Sequence, residues 1–529
     1  MQKSAPLRSR SSTWSLWVLL GVILVAAFLI RWRLRVCPLE RDEGEYAYIG
    51  HLLLEGVAPY GVTGNHKFPG AYLAYAAIMA LFGETTPAIH IGLLIVNLIT
   101  ATLLFFLGRL LAGNVAGLAA TAAWVVTSVS PSVFGNAAHL THFVMLAVVA
   151  GLLLLWRGLE TKKRWPLIIG GVCLGASVVV RQTSLVFVAV GIVFVWLAAR
   201  RNREGAAADA ALVAASSAIP LAVTVLWLWI AGVLPDFWRW TVIEAAAYGS
   251  QVSLQEGLHQ FFAATPKAIS WDFLIWIGAA AGLAVTISKR SRRDWFVIGF
   301  LLAGFFALLP GFYFREHYYL QLLPAVALLF GLALASAWKM SAPWRYSAIA
   351  GVLVALFLPF IGQRNYFLAP TPTALSREIY SGNPFPEAIE VARYIEANST
   401  PDEPVGVLGS EPEIFFYSHR RSATTLIYSY PLMEHHRYAH AMQETMAREI
   451  EERRPKFIVF MNVPTSWLMR PDSDRFIFDW ADSYLARNYQ LDGIADILAS
   501  GSEYAWGASA LNYQIRSPYF VSVYRRVSY

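Results

Sequence analysis

The stretch WSLWVLLGVILVAAFLI, residues Trp14–Ile30, decides the kind of fold that this chain adopts. It carries no charged side chain, and as a helix it approaches the length needed to cross a hydrocarbon layer of roughly 30 Å. The basic residues Lys3, Arg8 and Arg10 precede it, as they would precede a secretory signal. Its length and the many apolar runs that follow favour a retained membrane anchor instead.

The composition of the whole chain also indicates a protein that lies in a membrane. Of the 529 residues, 57% are hydrophobic and only 15% are charged, which indicates a protein dissolved in a bilayer. The net charge of +7 does not point to nucleic acid, because Lys and Arg fall mainly in short loops beside apolar runs. We therefore expect membrane lipids as partners and no nucleic acid. The 2 cysteines show neither metal-ligand spacing nor a disulfide framework.

Further apolar runs predict a polytopic α-helical membrane protein with about eleven transmembrane helices, or thirteen if neighbouring runs have been merged. The short run at 71–82 is predicted to be an interfacial or re-entrant helix, because a crossing there would move every later basic loop to the wrong side. The predicted crossings are centred on Leu20, Val96, Ala120, Val148, Val172, Phe194, Thr224, Ala280, Leu302, Ala327 and Val354.

Basic linkers between these runs set the predicted orientation. By the positive-inside rule they are cytoplasmic, which puts the N-terminus inside and the loop 37–69 and the C-terminal region outside. Arg31, Arg33 and Arg35 roughly balance the charges before the first helix, so the later loops decide its direction. The linkers are 156–165, 200–203, 289–293 and 338–345.

A change in character after Phe360, with several prolines and then mixed polar sequence, predicts a domain boundary. We expect a transmembrane domain at 1–363, which includes the first outer loop 37–69, and a small extracytoplasmic α/β domain at 364–529. Within the latter, helical patterning covers 388–397 and 442–454, and strand patterning covers 405–408, 457–460 and 519–524.

The first outer loop contains the stretch ERDEGEYAY, residues Glu40–Tyr48, with Asp42, Glu43 and Glu45 close to the end of a membrane helix. One of these carboxylates could accept a proton from an attacking hydroxyl, or the group could bind a divalent metal. A solvated, charged loop that keeps the helix end in water explains the same residues, so the stretch by itself leaves these interpretations open.

Further along the loop, Lys67 in NHKFPGAY could hold a lipid phosphate or could snorkel from a helix end. Arg181 interrupts an apolar run, and charge there is a functional hypothesis by default, although it could reach lipid headgroups. The outer turn FREHYYLQLLP adds Arg315, His317 and Tyr318, where Arg315 could instead pair with its neighbour Glu316.

His139 and His142 lie three residues apart in AHLTHF at the outer mouth of another helix and so share a face. That spacing suits a metal pair, but no third ligand is near in the sequence. We expect substrate contact or ordinary boundary histidines in preference to a zinc site.

Taken together, these residues resemble the GT-C superfamily of membrane glycosyltransferases, in particular the branch of the protein O-mannosyltransferases and the bacterial aminoarabinose transferase. The resemblance covers most of the chain. It consists of the acidic pair Asp42 and Glu43 followed by YA, the element from Lys67 to Pro69, the turn HYYLQLLPAVALL from His317, and VGVLGSEPEIFFYSHRRSAT from Val405 to Thr424. Two features depart from the family: Phe68 separates the lysine from the proline, and no acid occupies the outer turn 139–143.

The resemblance implies transfer of a hexosyl or pentosyl group from a polyprenyl-phosphate-linked donor to a hydroxyl of a lipid, glycan or protein acceptor, in a bacterial inner membrane. It implies Asp42 as general base with inversion at the anomeric carbon, and Glu43 as a residue that positions Asp42, contacts the sugar or shares a metal. No cofactor is certain, and a divalent metal ion remains a possible one. The substrate-binding residues expected on this basis are Lys67, His139, His142, Arg181, Arg315, His317 and Tyr318.

Two other functions fit parts of the sequence. A transporter or flippase would use Arg181 and the charged loops as a path, but it would need charges at mid-membrane and usually shows repeat symmetry. An enzyme like the O-antigen ligases, or a noncatalytic protein that binds sugar lipids, is a further alternative. Activity after replacement of Asp42 separates a transferase from such a binding protein.

Overall fold

The computed structural model describes residues 10–200 and 205–527. The basic residues Lys3 and Arg8 and most of the predicted basic loop 200–203 lie outside the described residues. The first part of the chain is helical, with helices α1 (Arg10–Leu34), α2 (Arg41–Leu54), α3 (Gly70–Phe82), α4 (Thr86–Ala112), α5 (Asn114–Thr127), α6 (Leu140–Thr161), α7 (Trp165–Val180), α8 (Leu185–Arg200), α9 (Ala206–Ile230), α10 (Leu234–Trp238), α11 (Ala245–Gly249), α12 (Leu254–Ile269), α13 (Phe273–Lys289), α14 (Arg292–Leu308), α15 (Leu323–Ala337), α16 (Ala342–Gly362) and α17 (Arg364–Phe367).

Strands occur only in the C-terminal part of the described chain, where they alternate with further helices. The elements there are α18 (Pro372–Tyr380), α19 (Phe385–Ala397), β1 (Val405–Leu408), α20 (Glu413–Ser418), α21 (Tyr430–Met433), α22 (Ala439–Arg453), β2 (Phe457–Asn462), α23 (Pro464–Trp467), α24 (Phe476–Asn488), β3 (Tyr489–Leu498), β4 (Gly501–Trp506), α25 (Ala508–Leu511) and β5 (Phe520–Arg526).

Each predicted apolar run lies in a helix, and the chain is an integral membrane protein. Among the described residues, six helical stretches are long and apolar enough to cross a bilayer: Trp14–Leu34, Thr86–Ala112, Leu140–Thr161, Ala206–Ile230, Leu254–Lys289 and Ala342–Gly362. Helix α3 has 13 residues, so it is only about 20 Å long and is shorter than the hydrocarbon layer. The total of eleven to thirteen crossings, and the interfacial position of 71–82, stay predictions.

The chain folds into two compact units. One consists of the residues up to Arg35 together with His90–Ala222 and Leu254–Phe367, and the other of Val36–Ile89, Val223–Ser253 and Leu368–Tyr529. The second unit thus takes up the first outer loop as well as the C-terminal region. The functional division into 1–363 and 364–529 stays a prediction.

Small residues let the helices of the first unit pack closely. A Cβ atom added at Gly151 of α6 would lie 2.9 Å from the carbonyl oxygen of Gly170 in α7, and one at Gly282 of α13 would lie 2.0 Å from that of Leu329 in α15. Within a bilayer, association of helices depends on such close van der Waals packing, because lipid tails are as apolar as the side chains.

A five-stranded sheet forms the C-terminal part of the second unit, with strand order β1-β2-β5-β3-β4. Strands β1 and β2 are parallel, and the other neighbours pair antiparallel. The predicted strands at 405–408, 457–460 and 519–524 are confirmed with small changes at their ends. Strands β3 and β4 form the hairpin at one edge of the sheet and were not predicted from the sequence.

Helix α2 carries the acidic stretch of the first outer loop, and two devices define it. Glu40 is the N-cap: its Oε1 accepts from the backbone N–H of Glu43 at 2.9 Å, while Glu43 Oε2 accepts from the backbone N–H of Glu40 at 3.3 Å. This reciprocal capping box satisfies two N–H groups that every helix start leaves without partners. Gly44 then lets α2 approach α20, because an added Cβ would lie 2.5–2.7 Å from the Glu413 backbone and Cβ.

We expect Gly44→Ala to destabilise the protein by about 1–3 kcal/mol, since the new methyl group forces α2 away from α20. The gain in helix propensity, about 1 kcal/mol, is smaller or comparable. Thermal unfolding in detergent measures the effect as a lower melting temperature. The control is Gly351→Ala in α16, where an added Cβ has no atom within 4 Å. An equal or higher melting temperature for Gly44→Ala would contradict the close packing of α2 on α20.

Candidate functional site

The residue before Asp42 ties α2 to the C-terminal part of the second unit. Arg41 is buried, and its guanidinium donates to Glu411 Oε1 at 2.7 Å and to the carbonyl oxygen of Ser410 at 2.6 Å. Glu411 is also fully buried and accepts from the Ser466 hydroxyl at 2.5 Å. Removing one partner of such a buried pair leaves the other charge buried and unpaired, which lowers the stability of the fold by about 3–5 kcal/mol. The pair therefore fixes α2 in one position.

Asp42 and Glu45 both hold the ammonium of Lys67. They lie three residues apart on α2 and therefore on one helical face. Lys67 Nζ donates to Asp42 Oδ1 at 2.9 Å and to Glu45 Oε2 at 2.7 Å. Asp42 and Lys67 remain partly accessible, with side-chain exposures of 19% and 25%, whereas Glu45 is fully buried. The first two groups can therefore meet a substrate, and the third can only act through Lys67.

Aromatic side chains surround this ion pair. The hydroxyl of Tyr428 donates to Asp42 Oδ1 at 3.2 Å, and that of Tyr72 donates to Glu45 Oε1 at 3.1 Å. The rings of Tyr46 and Tyr428 lie 4.6 Å and 5.7 Å from Lys67 Nζ, within the range of cation–π attraction. Tyr60 donates to the backbone carbonyl of Lys67 at 2.7 Å. The lysine is thus held at both its backbone and its ammonium.

The charge state of the cluster follows from burial and from these contacts. Burial disfavours the ammonium of Lys67, but Asp42 and Glu45 outweigh that effect and raise the pKa of Lys67 above its usual value. Because a raised pKa keeps the group protonated, Lys67 is a cation throughout the neutral range. Burial raises the pKa of Glu45, and the nearby ammonium of Lys67 opposes that shift.

The other acid of the predicted pair has a different environment. Glu43 is fully buried, and its carboxylate accepts from the N-cap backbone of α2. That contact gives Glu43 a structural task next to Asp42. Its proposed catalytic role stays a prediction.

A divalent metal would find two hard oxygen ligands in Asp42 and Glu45. The Lys67 ammonium already occupies the position between these carboxylates, at hydrogen-bond distance from both. A metal ion bound to both carboxylates of this unit would have to displace the lysine from them.

In the first unit, turns at the ends of helices bring together four of the predicted binding residues. The rings of His139 and His317 stack with centroids 4.1 Å apart and planes at 10°. Tyr318 packs edge-on against His317 at 4.7 Å, and the guanidinium of Arg181 lies 4.0 Å from the centre of the Tyr318 ring. Arg181 ends α7, and the two residues 317 and 318 belong to a 3₁₀ turn, Glu316–Gln321.

The remaining predicted residues of this unit have other neighbours. His142 is fully buried and meets the ring of Trp124 edge-on at 6.5 Å, so it does not share the partner of His139. Arg315 lies over the ring of Tyr313 at 5.8 Å. A buried cation, Arg31, was not predicted as a site residue; it donates to the carbonyl oxygens of Ser128 and Gly135 at 2.8 Å and 2.9 Å and so closes the turn before α6.

Glu45, Tyr72 and Tyr428 were not predicted as site residues from the sequence. The signal for Glu45 was present, because a spacing of three on a helix puts it beside Asp42. Tyr72 and Tyr428 carried no comparable signal. Tyr428 lies 386 residues from Asp42 in the chain, and only the folded unit brings the two together.

No protein-family model matches this sequence, and no curated relative matches it. Solved structures do share its fold. ArnT from Cupriavidus metallidurans in the apo state is 16% identical, with 98% of each chain covered and a TM-score of 0.61. The same protein bound to undecaprenyl phosphate gives a TM-score of 0.60, with 96% of this chain and 98% of that chain covered.

Two further solved structures resemble the chain. The oligosaccharyltransferase AglB from Archaeoglobus fulgidus, in complex with an inhibitory peptide and a dolichol-phosphate, is 14% identical over 96% of this chain and 76% of that chain, with a TM-score of 0.54. The mycobacterial arabinofuranosyltransferase AftD is 14% identical over 96% of this chain and 40% of that chain, with a TM-score of 0.51. At these identities the likeness concerns the fold. The chain therefore shares the fold of these solved proteins, which is the GT-C fold that the resemblance in its sequence predicted.

Proposed function

We propose that this chain is an integral membrane glycosyltransferase that transfers a sugar from a polyprenyl-phosphate-linked donor to an acceptor hydroxyl on the outer face of the membrane. The contact of Lys67 with Asp42 carries the proposal, because it joins a carboxylate and a cation, both partly accessible, at one point. The GT-C fold and the solved neighbours that hold undecaprenyl phosphate or dolichol-phosphate support the class of donor.

In this proposal the acceptor oxygen attacks the anomeric carbon while the bond from that carbon to the phosphate oxygen breaks. Asp42 accepts the proton of the acceptor hydroxyl, so that the nucleophile gains electron density as the new bond forms. Attack from the face opposite to the phosphate inverts the anomeric carbon. Tyr428 donates to Oδ1 of Asp42 and holds the carboxylate in place.

The leaving group determines what Lys67 contributes. The donor phosphate carries one negative charge as a diester, and it gains a second when the lipid phosphate departs. A cation fixed near the oxygens therefore stabilises the transition state more than the ground state. An ammonium has three N–H donors, and Asp42 and Glu45 accept two of them, so the third can serve a phosphate oxygen.

The predicted binding residues of the first unit stay candidates for substrate binding on the basis of the sequence resemblance; they are His139, His142, Arg181, Arg315, His317 and Tyr318. We also keep the bacterial inner membrane, with the N-terminus in the cytoplasm and the C-terminal region outside, as part of the proposal. The acceptor hydroxyl belongs to a lipid, a glycan or a protein. A transporter or flippase remains the alternative, and it would move the sugar lipid without forming a glycosylated product.

Replacement of the base tests the reaction directly. We expect Asp42→Asn to lower sugar transfer from polyprenyl-phosphate sugars by about 10²–10⁴-fold, because the amide cannot accept the proton. The assay follows transfer by purified protein from a panel of such donors. Asp472→Asn is the matched control, since Asp472 is exposed in the same unit and pairs only on the surface with His435.

The melting temperature and the binding of undecaprenyl phosphate show whether the Asp42→Asn protein is folded. Full transfer activity in a folded Asp42→Asn protein would refute the assignment of the base. Movement of the sugar lipid across proteoliposomes by wild-type protein, without any product, would favour the transporter.

To test the role of Lys67, a single variant is compared with a double variant that keeps the net charge of the site. We expect Lys67→Met to reduce the rate of transfer by about 10²–10³-fold, because the developing phosphate charge loses its cation. The double variant Lys67→Met with Glu45→Gln removes one positive and one negative charge. It thereby removes the repulsion between the carboxylates of Asp42 and Glu45 that the single variant leaves without a cation.

We expect the double variant to recover stability, measured as the melting temperature, but not transfer. Lys456→Met is the control, because Lys456 lies on the surface of the same unit in a pair with Glu403. If the double variant transferred sugar at the rate of the wild type, Lys67 would merely neutralise Glu45 and would have no part in the phosphate site.

A further inference from the structure

The segment 234–249 of the second unit is helical throughout and has two unlike faces. Helices α10 and α11 form its ends, and a π-helical turn, Arg239–Glu244, joins them. The buried residues of its inner face, spaced three or four apart as on one side of a helix, are Phe237, Trp240, Thr241 and Glu244. The exposed apolar residues of its outer face are Trp238, Val242 and Ile243. The proposed transfer chemistry uses neither face.

The inner face packs against the loop that carries Lys67. The ring of Phe237 lies 5.3 Å from that of Tyr60, whose hydroxyl donates to the backbone carbonyl of Lys67 at 2.7 Å. The indole of Trp240 lies so close to Gly64 that a Cβ atom added there would be 2.1–2.5 Å from it. These contacts fix the backbone of the loop relative to the segment 234–249.

The outer face is apolar although it is exposed. The side chains of Trp238 and Ile243 are 57% and 43% exposed. Arg239 is an exposed cation beside them, and its guanidinium lies 3.5 Å from the carboxylate of Glu244. Exposed apolar surface with polar residues at its rim marks a contact with a membrane or with another protein.

The chain that leads into the segment favours the membrane. Helix α9 is apolar enough to cross a bilayer, and its 25 residues span about 38 Å, more than a hydrocarbon layer of roughly 30 Å. Its last residues, Trp229 and Ile230, are exposed, and tryptophan is enriched where membrane helices reach the headgroups. Helix α10 begins at Leu234, so its start lies within about 14 Å of the end of α9.

We infer that the segment 234–249 lies in the lipid–water interface, with its outer face in the surface of the bilayer. Its composition fits that place, because Trp238 is an interfacial type of side chain and Arg239 can reach the headgroups over apolar surface. Since the inner face holds the loop of Lys67, the segment also sets the height of that loop at the bilayer. The use of this height for a donor phosphate rests on the proposed function, whereas the contact with the bilayer does not.

Spin labels test this contact in the full-length protein. The label is attached to Ile243→Cys in a chain that also carries Cys173→Ala, and Cys37 is fully buried. The protein is reconstituted into liposomes of phosphatidylethanolamine and phosphatidylglycerol. Collision rates of the label are measured with oxygen, which dissolves in the bilayer, and with a water-soluble nickel complex. The control label is attached to Glu444→Cys, at an exposed position of helix α22 in the same unit.

We expect the ratio of oxygen collisions to nickel collisions at Ile243→Cys to exceed that at Glu444→Cys about threefold or more, because an interfacial helix buries its apolar face by about 5–10 Å. A ratio no higher than that of the control would place the outer face in water and overturn the inference. A label that meets neither reagent would show that protein covers the face instead of lipid, which overturns the inference as well.

The height of the loop is tested with charges on the outer face. Trp238→Glu together with Ile243→Glu should lift the segment, since a carboxylate is costly in an apolar layer. A label at Val62→Cys, an exposed position in the loop of Lys67, should then meet the nickel complex about twofold more often. The control is Leu511→Glu, at an exposed position of α25 in the same unit, which should leave this label unchanged.

Both sets of glutamate variants should keep the melting temperature of the wild type in detergent, because the replaced side chains are exposed. An unchanged label at Val62→Cys in the folded double variant would show that the segment does not set the height of the loop. Neither labelling experiment requires sugar transfer, so a failure of the proposed function is recognised separately by the transfer assay.

Discussion

The buried contact between Arg41 and Glu411 is the constraint on which the arrangement around Asp42 depends. A guanidinium removed from water needs a carboxylate and further acceptors, and the turn Ser410–Glu411 supplies them. Once that bond is made, α2 can neither rotate nor slide, because its next residues meet fixed partners. A buried pair of this kind adds little net stability, but it selects one position for the helix.

Almost every residue of the stretch ERDEGEYAY makes a specific contact once α2 is held in that position. Glu40 and Glu43 cap the helix, Arg41 anchors it, and Gly44 allows the close approach to α20. Tyr48 accepts from the backbone N–H of Ser422 at 2.9 Å on the same side of the unit. Asp42 is left as the partly accessible acid, and Glu45 stands behind Lys67. Most charged residues in this stretch thus have a structural task, and Asp42 has the proposed chemical one.

Two buried polar side chains, Glu45 and Tyr72, hold Lys67 in its place beside Asp42. Glu45 shares the ammonium of Lys67 and is in turn held by Tyr72, so the lysine is kept near Asp42 instead of extending into solvent. Such positioning matters for a transferase, because misplacement of a reacting group by about 1 Å can cost 10²-fold in rate. The second unit provides the geometry of the proposed base.

The sequence by itself determined that the chain consists largely of apolar helices, and it determined the strands β1, β2 and β5 and the charged stretch Glu40–Tyr48, because apolar length, alternation and charge are local properties. It did not determine β3 and β4, whose pairing depends on partners elsewhere in the sheet. Only the tertiary structure decided that Glu43 caps a helix while Glu45 holds Lys67, and that Tyr428 reaches Asp42. The cap is local, since it joins Glu43 to Glu40. The contacts of Lys67 with Glu45 and of Tyr428 with Asp42 join residues 22 and 386 positions apart, and burial, which no local pattern records, sets their energies.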